Sequence, residues 1–176
     1  SYALPNQIGN VSRTHDLDEK ALVKSCRMAR RIDSNAIQDG FDLYQQYFVL
    51  SDEGEWTAIQ QGLNKDNRRA RRYHWHSPEV RSFISDPHRG IAGIEDQSIL
   101  NLVDGDAGDL QHHMVALTRE KPGDLADVIR DSDLPDRHDV RKDDINMARL
   151  ASVLDLAYNR DIEKFEDLVD LHGVGP

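Results

Sequence analysis

The 176 residues suffice for one domain, or one and part of a second. Hydrophobic residues make up 38% and mean hydropathy is −0.68, so no stretch nears the roughly 18–20 apolar residues of a membrane span. The single cysteine, Cys26, excludes an internal disulfide framework and a thiolate metal knuckle, and a reducing cytoplasm is the expected location.

Residues 1–12, SYALPNQIGN and the two that follow, carry Pro and Gly among polar residues and read as a flexible leader. A first helix is expected from about Asp16 or Asp18 to Arg31, with Leu17, Ala21, Leu22, Cys26 and Ala29 forming its apolar stripe. Helical character ends at Asp39-Gly40. A β-hairpin follows at about 46–62, turning at Ser51 to Gly54 and stopped by Gly62 and Asn64. Arg71 to His76 reads as a third strand, and Pro78 opens a short helix to about Ser85. Further helices are expected over 104–120 and 124–130, with a loop around Pro135. An amphipathic helix capped by Asp143 or Asp144 then runs to about Asn159, burying Met147, Leu150, Ala151, Leu154 and Tyr158, and a last one spans Ile162 to Leu171. The sum is an α+β fold, mostly helical with a small antiparallel sheet. Its core spans 13–140, and a helical segment follows at 141–176.

Charge is unevenly placed. Thirty-two acids against 22 bases leave a net charge of −10, which opposes nonspecific contact with polyanions. The bases nevertheless gather as Arg27, Arg30 and Arg31, and as Lys65, Arg68, Arg69, Arg71 and Arg72. Such clusters suit either a phosphate-binding surface or a solvated face. Within ARRYHWHS, strand alternation puts Arg72, His74 and His76 on one side and Arg71, Tyr73 and Trp75 on the other. Three readings stay open for this segment. Tyr73 and Trp75 are core, or His74 and His76 hold a metal, or arginine and aromatic rings grip single-stranded nucleic acid.

Asp33 and Asp39 are candidate ligands for Mg2+ or Mn2+ in phosphodiester hydrolysis, provided the helix breaks between them. Six residues of straight helix would set their carboxylates about 240° apart. Gln60 or Gln61 is placed to position a water or a base, and His138 beside Asp139 is a further acid–base candidate. The terminal FEDLVDLHGVGP looks like the first half of a helix-hairpin-helix, where Gly173 and Gly175 let backbone N–H groups face a DNA phosphate. An ordinary glycine helix stop reads the same way.

The ordered motifs RID-x5-QDGF-x-LY, GEW-x2-IQQGLN, ARRYHWHS, SF-x2-DPH-x-GI-x-G, ILNL and RHDVR resemble the prokaryotic family catalogued as domain of unknown function 763, from about residue 12 to 176. The resemblance implies DNA association and a longer parent protein. It marks Asp33, Gln38, Asp39, Gln61, Arg72, His74 and His88 as candidate functional positions. The expected function is a DNA-associated protein, a metal-dependent nuclease in repair or processing. Asp33 and Asp39 would sit at the metal, His74 and His88 would assist, and Arg71, Arg72 and Gln61 would lie on the DNA. The alternative is a noncatalytic DNA-binding or assembly module. DNA is the expected partner in both, with self-association possible and no membrane.

Overall fold

The computed structural model describes residues 3–93, 99–132 and 145–174. Helix accounts for 46% and strand for 21%, the strands falling in two small antiparallel sheets, so the fold is α+β with helix dominant. No described helix is long and apolar enough to cross a membrane. The chain divides into two compact units, residues 1–108 and 109–174.

The expected leader is corrected at once. Helix α1 (Ala3–Thr14) begins there, with Ile8 and Ser12 buried and the Ser12 hydroxyl donating to the Ile8 carbonyl at 2.8 Å. Pro5 lies in the first turn, where no intrahelical N–H is needed, so it permits the helix it was read as breaking. Helix α2 (Glu19–Arg31) is capped by the Asp18 carboxylate, which accepts from the Ala21 amide at 3.0 Å, and buries Leu22, Cys26, Met28 and Ala29. Its last turn widens into a five-residue π-helical turn, Ile32–Ala36, that buries Ile32, Asp33 and Ala36. Strand β1 (Ile37–Gln38) follows directly and pairs with β6 (Leu100–Asn101).

The main sheet is an antiparallel run in the order β2 (Asp42–Leu50), β3 (Trp56–Asn64), β4 (Arg69–His76), β5 (Gly90–Ala92). Gly54, at φ +87°, makes the β2–β3 turn, a conformation in which a Cβ is strained. Gly62 does not end β3, which runs on to Asn64. Its missing side chain has a different purpose, because a Cβ there would stand 2.9 Å from the Arg71 guanidinium carbon. The helix expected from Pro78 to Ser85 is only a 3-10 turn, Ser77–Glu79. Trp56, Ala58, Gln60, Tyr73 and Trp75 fill the inner side of the sheet, against which α2 lies.

In the second unit, α3 (Gly108–Leu117), α4 (Pro122–Asp131), α5 (Met147–Asn159) and α6 (Phe165–Asp170) bury Val115, Ala126, Ala157, Phe165, Leu168 and Val169. Asn146 caps α5, its side chain accepting from the Arg149 amide at 3.0 Å. The expected caps Asp143 and Asp144, and the His138–Asp139 pair, lie outside the described residues. The inner stripe of α5 is Leu150, Val153, Leu154 and Ala157, whereas Ala151 and Tyr158 are exposed. Both stripes satisfy helical spacing, and packing against α4 selects one.

Candidate functional site

Two groups of predicted residues emerge, on opposite sides of the main sheet. On the inner side the break after α2 leaves Asp33 in the π-helical turn and Asp39 just beyond β1, so the two are no longer on one straight helix. Arg71 reaches across from β4. Its Nε donates to Asp39 Oδ2 at 2.6 Å and its Nη2 to the Asp33 carbonyl at 3.3 Å. Tyr73 also donates its hydroxyl to Asp39 Oδ2 (3.1 Å), and Asp39 Oδ1 accepts the Phe41 amide (3.0 Å). The Arg71 guanidinium lies over the Tyr73 ring, 4.1 Å from its centroid. Both carboxylate oxygens of Asp39 are therefore engaged by the protein itself.

Asp33 is engaged similarly. His88 Nε2 stands 2.6 Å from Asp33 Oδ1, and the Trp75 indole N–H is shared between Asp33 Oδ2 (3.3 Å) and Gln60 Oε1 (2.9 Å). His88 comes from the loop before β5. That loop is tied down by the Arg89 amide on the His74 carbonyl (2.7 Å) and the Asp86 amide on the Val103 carbonyl (2.8 Å). The imidazole stacks on Tyr73 (4.5 Å between centroids) and meets Trp75 edge-on (4.6 Å). Between the two neighbouring glutamines, burial selects Gln60. Among the described residues, its Nε2 and the Nη1 of Arg71 are buried donors without a hydrogen-bond partner.

Burial pushes the Asp33 carboxyl above the ordinary carboxylate range, an effect opposed by the His88 hydrogen bond and charge, by Arg71 and by Trp75. Two carboxyl groups here face one permanent cation. Tyr73 is also raised, by burial first and then by the Asp39 charge. Among the described residues no group of three or more His, Cys, Asp or Glu side chains is arranged to hold a metal ion.

The outer side of the sheet collects the other predicted residues. Strand register places Tyr47, Ile59 and His74 in one row across β2, β3 and β4. Gln45, Gln61 and Arg72 form the next row, and Val49, Thr57 and His76 the one on the other side. None of these nine residues is buried, and Tyr47 and Val49 are more than half exposed. The Arg72 Nε donates to Gln61 Oε1 at 3.2 Å, and Thr57 Oγ1 lies 3.2 Å from His76 Nδ1.

His74 thus stands apart from Asp33, Asp39 and His88, and Arg71 and Arg72 do not share a surface. The alternation of β4 already separated them. Gln38 is exposed on β1. Gly173 follows α6 at φ +91°, and its carbonyl accepts from Arg149 Nη2 at 3.4 Å, while Gly175 lies outside the described residues. Tyr47 was missed because its partners in the row are 12 and 27 positions away, a relation that only strand register reveals.

Taken together, these elements define a helix-rich α+β protein with an antiparallel sheet that is polar-locked on one side and open on the other. The chain matches the family described as Protein of unknown function (DUF763) over residues 1–176, its whole length, and belongs to that family. No curated protein and no solved structure matches it.

Proposed function

We propose that the chain is a noncatalytic DNA-binding module of a reducing cytoplasm, contacting DNA through the outer side of its main sheet. The observation that carries this reading is the position of Arg72, Gln61 and His74, three of the residues singled out in the sequence, on one open surface with Tyr47. At the same end of the strands, Lys65, Arg68 and Arg69 are exposed around the β3–β4 turn. With Arg71 and Arg72 they make the larger of the two basic clusters in a chain of net charge −10. Acidic Asp52, Glu53 and Glu55 mark the β2–β3 turn, so the surface is polarised along the strands. A polyanion is attracted to the first end and repelled from the second.

The inner network supports an architectural role better than a hydrolytic one. Mg2+ or Mn2+ at Asp33 and Asp39 requires Arg71 to release Asp39 and His88 to release Asp33, leaving the guanidinium and the imidazole without these partners in the interior. Arg71 is 5% exposed and reaches no phosphate. The test is to incubate the chain with labelled single- and double-stranded DNA, with and without Mn2+ or Mg2+. Binding without cleavage, weakened by Arg72→Glu, is the expected outcome. Metal-dependent cleavage that disappears in a folded Asp39→Asn variant would overturn the reading in favour of a nuclease.

A further inference from the structure

Resting on that DNA-binding reading, we infer that the outer side of the sheet is a stacking platform for single-stranded DNA, with an unpaired base on Tyr47 and the backbone running past Arg72. Three observations converge. Tyr47 is 53% exposed and its ring has no aromatic partner among the described residues, unlike Phe48, Trp56, Tyr73, Trp75 and Phe83, whose rings pack in the interior or along its edge. His74 presents a second ring in the same row, two strands away, with Ile59 between them. Adjacent strands stand about 4.8 Å apart, so the two rings are offset by roughly 10 Å across an apolar floor. The row toward the basic end supplies Arg72 and Gln61, while Arg69, of the same parity as Arg71, is exposed at the start of β4.

The same features argue against a duplex. Lys65, Arg68, Arg69 and Arg72 are the cations at this end, and Lys65 has Asp42 3.8 Å away. A duplex offers the protein its phosphates, and so few cations on an acidic body neutralise little of that charge. An unpaired strand offers ring faces as well, and stacking needs neither sequence readout nor high positive charge. The exposed, partly apolar surface fits that second mode. Sheets that present rings to unpaired bases work by this physics.

The experiment is fluorescence anisotropy of the 176-residue chain with labelled oligothymidylate of about twelve nucleotides, within the usual site size, and with a duplex of equal length. Tighter binding of the single strand is expected. Tyr47→Ala should weaken it about 5- to 150-fold while leaving duplex binding unchanged, and Tyr47→Phe should retain it. Arg72→Ala should weaken both. Equal binding of both DNAs, indifferent to Tyr47→Ala, overturns the stacking inference and leaves DNA binding standing. Binding of neither DNA removes the underlying reading. If Tyr47→Ala instead dissociates a dimer in light scattering and has no effect on DNA, the surface is a protein interface and the inference falls.

Discussion

Asp39 and Arg71, expected from the sequence at a metal and on DNA, meet each other in the fold as a buried ion pair. Their side chains are 3% and 5% exposed and bonded at 2.6 Å. Asp39→Asn leaves the guanidinium buried without its anion, and a loss of about 3–5 kcal/mol is expected in denaturant or thermal unfolding. Replacing both, with Asp39→Leu and Arg71→Met, should cost less than the single change, because no unpaired charge remains. A smaller loss in the single variant than in the double one would show that the pair is not the lock described here.

Asp33 makes a pH prediction whose sign follows from burial. Its folded-state carboxyl binds its proton more tightly than the unfolded value of 3.8. The native state therefore holds more protons than the unfolded one above pH 3.8, and this group's contribution is lost as pH rises through the raised value. Asp33→Asn cannot titrate. The melting temperature of the parent should therefore fall relative to that of Asp33→Asn as pH rises from about 4, the ordinary carboxylate range, toward neutrality. A constant difference across that range would contradict the assignment. Cys26, buried and pushed up to about 11 by that burial, against the pull of Arg30 and of the Gln46 hydrogen bond, should resist alkylation at neutral pH until the chain is denatured.

At the scale of elements, β4 divides its residues by parity. Tyr73 and Trp75 point inward, where truncation to alanine should cost about 3–5 kcal/mol. Arg72 and His74 point outward, and alanine there should change stability by no more than about 0.5 kcal/mol. Circular dichroism melts of the four single variants check the division. Two classes separated along a single strand are expected, and a graded series would count against the register. This alternation was legible in ARRYHWHS, as was the hairpin before it, because period-two patterning survives in any sheet. Helix α1 was not legible as a helix. Pro5 and Gly9 read as punctuation, whereas a proline in the first turn and a glycine facing the Glu19 carboxylate are compatible with helix. The π-helical turn was equally hidden, since no local spacing announces one extra residue in a helical turn.

For the whole molecule, the balance between an acidic body and one basic end should govern salt dependence. With the four cations at the β3–β4 end engaged, log binding constant against log salt should fall with a slope of about −2 to −3 for a single strand. A much steeper slope would mean that phosphate contacts extend well beyond this sheet. Both the inner network and the outer surface lie within residues 1–108. A fragment ending there should therefore keep oligothymidylate binding if it unfolds cooperatively, and loss of binding in a folded fragment would place determinants in residues 109–176.

The sequence by itself determined the α+β class, the hairpin with its third strand, an aspartate cap at position 16 or 18, and the separation of Arg71 from Arg72, because these depend on residues within a few positions of one another. It also singled out Asp33, Asp39 and His88 as chemically unusual. What those three touch was decided only by tertiary structure. Asp33 and His88 are 55 positions apart, and Asp39 and Arg71 are 32 apart. Only the folded chain closes those distances, and once closed, the acids meet protein donors that satisfy them. The open row of Tyr47, Ile59 and His74 arises for the same reason, since register joins residues that no local pattern connects.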